Sequence, residues 1–194
     1  MEEKNKAWQT VSSKYLFRRP WLTVRCEDML LPNGNHIPEY YILEYPDWVN
    51  TIAITKEGKF VFVRQYRPGI GRTCYELCAG VCEKEDVSPL VSAQRELWEE
   101  TGYGNGNWQE YMVVSANPST HTNLTHCFLA TDVELIDHQH LEATEDISVH
   151  LFTLEEVRTL LENNEIMQSL NGEHGGRRRP DPRSGLGLPR RRPG

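Results

Sequence analysis

The chain has 194 residues, 38% of them hydrophobic, and a formal net charge of -7 at pH 7. This length suits one domain with an appendage, and the composition is typical of a soluble acidic protein that binds neither nucleic acid nor a membrane. No apolar run approaches the roughly 18 residues of a membrane span. The start has no apolar signal core, and five cysteines fit a reducing compartment, so we expect a cytoplasmic protein.

The first third of the chain predicts two β-hairpins. Residues 21–28 alternate in polarity, residues 31–35 carry a turn signal, and residues 38–44 resume a strand rich in tyrosine. Residues 48–55 and 59–66 form the second pair, and the central residues of its second strand are apolar enough to be buried.

A helix is predicted to follow, with Ser88 as its N-cap, Pro89 at its first position and Gly102 as its C-terminal stop. That is about three to four turns. The expected buried stripe consists of Leu90, Ala93 and Leu97.

Three glutamates of this helix, Glu96, Glu99 and Glu100, are spaced i, i+3, i+4. Their carboxylates therefore cover roughly 100° of the helix and can converge on one point beside the buried stripe. Such a cluster is often only a solvated face. Carboxylate oxygen is, however, the ligand that hard divalent cations such as Mg2+ and Mn2+ prefer, so a metal site is the alternative.

Residues 95–103 read Arg-Glu-Leu-Trp-Glu-Glu-Thr-Gly-Tyr, and Gly80 lies upstream. This pattern closely resembles the signature of Nudix hydrolases, G-x5-E-x7-R-E-U-x-E-E-x-G-U, where U is a bulky apolar residue. The second half matches at every specified position. The upstream half is one residue longer than the family spacing, so its first acidic position falls on Glu85 or Asp86.

The resemblance implies an α/β fold, the Nudix α/β/α sandwich with a mixed sheet, preceded here by a small antiparallel sheet. It also implies a metal site for Mg2+ or Mn2+. Its ligands would be the three glutamates and the carbonyl of Ala79, with Glu99 and Glu100 counted as catalytic. Arg95 is interpreted as a partner that orients one of the carboxylates, and Gly80 and Gly102 as structural.

Two further segments resemble the ADP-ribose pyrophosphatase branch of the family. Residues 65–67 match its Gln-Tyr-Arg segment, and residues 75–80 match its entry into the signature with Cys78 in place of the usual proline. By that resemblance Arg67 and Glu76 contact substrate, and arginine suits a bidentate phosphate contact. The alternative for Arg67 is a surface arginine paired to a neighbour.

Loops after the helix supply the remaining candidates. Pro118 lies fifteen residues beyond Tyr103, where ADP-ribose-type members carry proline, although a lone proline is also an ordinary turn residue. In that branch an acidic loop residue outside the signature approaches the attacking water, and Glu145 is the first candidate here and Glu142 the second. An acidic solvent loop is the alternative.

The other elements are structural. Strands are predicted at residues 108–115 and 125–131 and in the segment that ends at residue 152. A capping box at Thr153 opens a helix that runs to about Asn163. Its expected inward residues are Val157, Leu160 and Leu161, and residues 165–170 predict a further helical turn.

Cysteines and histidines show no trusted metal spacing. Cys74, Cys78 and Cys82 recur every four residues and match neither zinc nor iron-sulfur motifs, so we interpret them as small apolar residues of the interior. The histidines of the second half of the chain, His138 and His140 among them, are expected to be solvated or hydrogen-bonded locally.

The predicted organisation has three parts. Residues 1–47 form the N-terminal β region, which in this branch helps to make a homodimer, and residues 48–170 form the catalytic domain. Residues 171–194 contain seven arginines, six glycines and four prolines and predict a disordered basic tail. A basic tail could bind nucleic acid or an acidic partner, but we interpret it as unrelated to the enzyme.

The function implied is metal-dependent hydrolysis of a nucleoside diphosphate linked to another moiety, first of all ADP-ribose to AMP and ribose 5-phosphate. GDP-mannose or another nucleotide sugar is an alternative substrate. A second alternative is a nucleotide-sensing module without catalysis. The complete second half of the signature argues against the sensor, whereas the longer loop and Cys78 leave it open.

Overall fold

The computed structural model describes residues 6–167. The predicted basic tail, residues 171–194, and the end of the predicted turn at residues 165–170 lie outside this range. Across the described residues no helix has both the length and the apolar character that a membrane crossing requires.

A three-stranded antiparallel sheet opens the chain. It consists of β1 (Gln9–Arg19), β2 (Leu22–Leu30) and β3 (His36–Glu44), in that order. The hairpin of β2 and β3 is the first predicted pair. Strand β1 lies in the predicted N-terminal β region but was not assigned as a separate strand, and every one of its residues is exposed.

A mixed eight-stranded sheet forms the centre of the protein. Its middle strands run in the order β11-β5-β4-β10-β8, while β6 pairs with β5, β7 with β4 and β9 with β10. The pairing of β4 with β10 is parallel and that of β4 with β5 is antiparallel. The strands are β4 (Trp48–Thr55), β5 (Phe60–Arg67), β6 (Arg72–Glu76), β7 (Cys78–Val81), β8 (Tyr103–Gly104), β9 (Asn107–Val114), β10 (Thr125–Leu135) and β11 (Ser148–Phe152).

Helix α1 (Pro89–Thr101) begins and ends as predicted. The Ser88 side chain accepts a hydrogen bond from the N–H of Val91, and Gly102 adopts a left-handed conformation with φ 75° and donates its N–H to the carbonyl of Trp98. The predicted buried stripe is wrong at Leu90, which is exposed in the first turn of the helix, whereas Ala93 and Leu97 are fully buried.

Helix α2 (Leu154–Glu162) has the predicted capping box at Thr153. Val157 and Leu160 pack against the sheet, but Leu161 is exposed, so its predicted inward position is wrong. Residues 165–167 are not helical. The backbone carbonyl of Glu165 instead accepts a hydrogen bond from Tyr75, and Ile166 is buried in the core.

The two helices cover opposite faces of the large sheet. Val61 packs in one cluster with Leu97 of α1, while its neighbour Phe62 packs in another with Val157 of α2. This alternation follows from the two-residue period of a strand. The α/β/α sandwich with a small antiparallel sheet before it is therefore confirmed.

Candidate metal centre and active site

Helix α1 presents its three glutamates to the edge of strand β7. Glu100 is 5% exposed as a residue, and the side chain of Glu96 is 16% exposed. The side chain of Glu99 is more open, at 33%. Arg95 joins Glu96 and Glu99, whereas the three carboxylates do not all lie within 4.8 Å of one another in this structure. Two of the three carboxylates are removed from water, so the helix face is not merely solvated.

Gly80 permits the close approach of Glu96. A Cβ atom at this position would lie 2.0 Å from Glu96 Cδ, so any other residue would displace that carboxylate. With glycine in place, the N–H of Val81 donates to Glu96 Oε1 at 3.2 Å. The glycine of the signature is thus explained by packing against a carboxylate.

Glu100 is held by the strand beneath it. The N–H of Ala79 donates to Glu100 Oε2 at 3.3 Å, and the buried thiol of Cys78 makes a side-chain hydrogen bond with the same carboxylate. Burial is the largest cause that raises the pKa of Glu100 to about 8. Burial also raises the pKa of Glu96.

Arg95 binds more carboxylates than expected. Its Nη1 donates to Glu96 Oε1 at 3.0 Å and to Glu99 Oε2 at 2.9 Å, and its Nη2 donates to Asp86 Oδ2 at 3.0 Å and to the carbonyl of Val81 at 2.9 Å. The guanidinium therefore fixes two of the three glutamates and the preceding loop together.

The acidic position of the longer loop is Asp86. Its side chain is 9% exposed and forms the ion pair with Arg95, while Glu85 is exposed. The hydrogen bond from Arg95 lowers the pKa of Asp86. One additional residue in this loop thus leaves an aspartate where the longer glutamate side chain would stand in the family pattern.

The charge and chemistry of the cluster fit a divalent cation. Two buried carboxylates with raised pKa values lie beside a third, and one arginine shared with Asp86 does not balance them. An all-oxygen donor set of this kind favours Mg2+ or Mn2+ over softer metals.

Arg67 and Glu76 contact each other at the border of this cluster. Arg67 Nη2 lies 2.6 Å from Glu76 Oε2, and Arg67 Nε donates to Glu76 Oε1 at 2.9 Å. Glu76 is buried, whereas 41% of the Arg67 side chain is exposed. Arg67 is thus paired to a neighbour, as the alternative interpretation of this residue expected. The negative charge of Glu100 also helps to raise the pKa of Arg67. The predicted substrate contacts of both residues stay predictions.

The loop before β11 brings one acidic candidate near the cluster. The charge of Glu145 contributes to the raised pKa of Glu100. Glu145 also accepts a hydrogen bond at 2.8 Å from the N–H of Glu142, which closes a turn in which both residues are exposed. The catalytic role of either one stays a prediction.

Pro118 lies in an exposed turn that contacts the N-terminal sheet. The backbone N–H of His121 donates to the carbonyl of Asn117 at 2.9 Å, and the N–H of Leu43 in β3 donates to the carbonyl of Thr120 at 2.8 Å. Tyr40 of β3 also donates its hydroxyl to the carbonyl of Ser119. This turn therefore joins the two sheets, and a substrate role for Pro118 stays a prediction.

Two members of the site could not be assigned from the sequence. In the sequence, Cys78 is noticeable only because it replaces the usual proline of the family. Its contact with Glu100 depends on the register of β7 against β4, in which Cys78 lies opposite Thr51. Gln139 donates its side-chain amide to the carbonyl of Glu100 at 2.7 Å, and a lone glutamine in a polar loop gives no signal for such a contact.

The fold and the site together define a class of protein. It is an α/β/α sandwich in which helix α1 presents a glutamate cluster to strand β7, which contains a glycine. The profile of the NUDIX domain matches residues 45–170, and that of the nucleoside diphosphate sugar hydrolase N-terminal domain matches residues 8–43. The chain belongs to the Nudix family and is a hydrolase.

Individual relatives agree with this assignment. The ADP-ribose pyrophosphatase of Bacillus subtilis (strain 168) is 32% identical over 167 residues, which are 86% of each chain. The methanol dehydrogenase activator of Bacillus methanolicus is 29% identical over 162 residues, 83% of this chain and 86% of its own. A crystal structure of an ADP compounds hydrolase superposes with a TM-score of 0.72 at 21% identity, covering 84% of this chain and 88% of its own, and shows the same fold.

Proposed function

We propose that this Nudix hydrolase is an ADP-ribose pyrophosphatase that requires Mg2+ or Mn2+ and converts ADP-ribose to AMP and ribose 5-phosphate. The observation that carries the proposal is the placing of Glu96 against Gly80 and of buried Glu100 against Ala79, with Glu99 joined to Glu96 by Arg95, which suits a metal-bound pyrophosphate. The similarity to an ADP-ribose pyrophosphatase over 86% of the chain supports the choice of substrate.

The proposed metal ligands are the three glutamates and the carbonyl of Ala79. In an extended strand the N–H and the C=O of one residue point to the same side, and the N–H of Ala79 points to Glu100. Bound there, a divalent ion neutralises phosphate charge and lowers the pKa of an attacking water.

The protein's own side chains prepare this site for the substrate. Arg95 holds Glu96 and Glu99 in position by two hydrogen bonds, so the ligands need little rearrangement. Arg67, with its exposed guanidinium anchored on buried Glu76, is placed to bind a phosphate oxygen with the donors that remain. Pro118 is proposed to shape the opposite border of the substrate pocket.

Glu145 is the proposed general base, and Glu142 is the second candidate. A general base must lie within hydrogen-bond reach of the attacking water. The negative charge of Glu145 contributes to the raised pKa of Glu100, so Glu145 lies near the cluster. Its hydrogen bond with the N–H of Glu142 holds the carboxylate in place while leaving it exposed. Glu99 and Glu100 share in catalysis as ligands that orient the water.

The N-terminal region, residues 1–47, is proposed to form a homodimer, and the catalytic domain to comprise residues 48–170. Strand β1 exposes a band of large apolar side chains, and such a band is typical of a protein interface. The band and its neighbours comprise Trp8, Val11, Tyr15, Leu16, Phe17, Trp21 and Leu22. Five cysteines without disulfides support a cytoplasmic location.

The test is release of monophosphate from ADP-ribose, other ADP-sugars and GDP-mannose with Mg2+, comparing wild type with Glu99→Gln. We expect the highest kcat/KM for ADP-ribose and loss of turnover in the variant. A preference for GDP-mannose would move the substrate to the nucleotide-sugar alternative. Binding of ADP-ribose without hydrolysis of any compound would contradict the proposed activity and favour a sensor.

A further inference from the structure

A second group of metal-type side chains lies in the loop that follows β10. Asp137, His138 and His140 each offer one ligand atom, and these atoms lie within 4.8 Å of one another. Asp137 Oδ1 is 2.7 Å from His138 Nδ1, and Asp137 Oδ2 is 3.0 Å from His140 Nε2. The centroids of the two imidazole rings are 4.4 Å apart. No metal motif of known spacing would select these residues from the sequence.

The rest of the structure fixes the backbone of this loop. The N–H of His140 donates to the carbonyl of Glu99 at 2.8 Å, and the N–H of Asp137 donates to the carbonyl of Gly102 at 3.1 Å. The His140 ring also stacks on Trp98 with 4.1 Å between centroids. The C-terminal end of α1 therefore presets two of the three groups, which reduces the entropy cost of bringing ligands together.

The distances within the group are close to those of a tetrahedral site. With metal–ligand bonds near 2.0 to 2.1 Å, ligand atoms in such a site are about 3.3 Å apart. Asp137 contacts the two rings through different oxygens, Oδ1 to His138 and Oδ2 to His140, and both distances need to open by roughly 0.3 to 0.6 Å to admit an ion. Rotation of His138 can achieve this, because 79% of its side chain is exposed.

We propose that Asp137, His138 and His140 bind a transition-metal cation of the Zn2+ class, at a site separate from the glutamate cluster. Imidazole nitrogen with one carboxylate suits Zn2+, Ni2+ and Cu2+, whereas Mg2+ prefers oxygen ligands alone. Solvent occupies the fourth position, because the group lies at the surface. The bound ion joins the end of α1 to the segment that leads to Glu142 and Glu145.

The experiment is a calorimetric titration of the full chain with Zn2+ in saturating Mg2+, repeated with His138→Asn and His140→Asn. We expect one Zn2+ per chain, and binding at least about 10-fold weaker in each variant, because loss of a ligand costs no less than loss of an outer-shell partner. His138 is mostly exposed, so its replacement leaves folding intact. His140 packs on Trp98, so His138→Asn decides the matter.

Two controls separate this site from others. His126 also lies beside carboxylates, with its Nδ1 2.7 Å from Glu110 Oε1 and its Nε2 3.7 Å from Asp47 Oδ2, and His126→Asn should leave Zn2+ binding unchanged. Glu99→Gln should also leave Zn2+ binding unchanged, because that substitution alters the glutamate cluster and none of the three proposed Zn2+ ligands. Equal Zn2+ affinity in wild type and His138→Asn, or no Zn2+ binding by wild type, would overturn the proposal.

Discussion

The glutamates of α1 and those of the loop before β11 have the same chemistry in opposite surroundings. Glu96 and Glu100 are packed against β7, and their pKa values are raised by burial. Glu142 and Glu145 are exposed and are held by one turn. Burial disfavours the ionised form of Glu96 and Glu100 until a cation binds, whereas Glu142 and Glu145 carry their negative charge in contact with water. The difference separates the groups proposed to hold metal from groups able to exchange protons with solvent.

The largest expected effect comes from the helix side of this comparison. Replacing Glu100 or Glu99 with Gln removes a proposed metal ligand while keeping the shape, and kcat/KM for ADP-ribose should fall by about 1,000-fold or more, several kcal/mol of lost charge stabilisation. Steady-state kinetics with saturating Mg2+ measure this. Glu57→Gln, in the β4–β5 turn, is the matched control and should retain full activity.

Gly80→Ala tests the same site through packing. The added Cβ would overlap Glu96 Cδ at 2.0 Å, so this carboxylate must move and its bond with the N–H of Val81 must break. We expect a loss of about 100-fold in kcat/KM and weaker Mg2+ binding, by analogy with small misplacements at other active sites. Gly69→Ala has open space at its Cβ and should be silent. Normal Mg2+ affinity in Gly80→Ala would contradict the role of this contact.

For the two glutamates of the loop before β11 we predict smaller effects on kcat, and the two substitutions should differ. Glu145→Gln should lower kcat by about 100-fold, within the range of general-base catalysis, and leave Mg2+ affinity unchanged. Glu142→Gln should change kcat by less than about 3-fold, because the turn uses its backbone N–H and not its side chain. Pre-steady-state kinetics and the pH profile of kcat measure both. The reverse order of effects would exchange the two candidates.

The raised pKa of Glu100 predicts a pH dependence of stability in the metal-free protein. The folded-state pKa of Glu100, about 8, lies above the ordinary glutamate pKa of 4.5, so the folded protein holds an extra proton between these values. The free energy of unfolding therefore falls as pH rises through this window, by on the order of 2 kcal/mol between pH 6 and pH 8.5. Glu100→Gln removes that contribution. Urea denaturation in EDTA measures it, and parallel pH curves for variant and wild type would contradict the burial argument.

Local rules of helix formation were enough to predict α1 from the sequence. Ser88 and Gly102 cap it in the expected way, because their effects depend on neighbouring residues alone. The exposure of Leu90 was not predictable, since it depends on tertiary packing and not on spacing along the helix. Strand β1 was predicted only as part of the N-terminal β region and not delimited as a strand, because all its residues are exposed and no alternation of burial marks it.

Within the site, helix spacing predicted the glutamate cluster but not the contacts that reach it from elsewhere. Arg95 binds Asp86 across the longer loop, and Cys78 reaches Glu100 from β7. Both contacts depend on how a loop or strand lies against the helix, which the spacing of residues along one element does not contain. The pairing of Arg67 with Glu76 is of the same kind: Glu76 lies opposite Val63 in the register of β5 and β6, and Arg67, four residues further along β5, reaches back to it.

The central claim is that the buried carboxylates of α1, and not those of the loop, are the metal centre. Binding of Mn2+ followed by electron paramagnetic resonance tests it directly, with wild type, Glu100→Gln and Glu142→Gln at pH 6 and pH 8.5. We predict tighter binding at pH 8.5 than at pH 6 for wild type and Glu142→Gln, because Mn2+ competes with the proton on Glu100, and at least about 10-fold weaker binding in Glu100→Gln. Equal Mn2+ affinity in wild type and Glu100→Gln at pH 8.5 would contradict the claim.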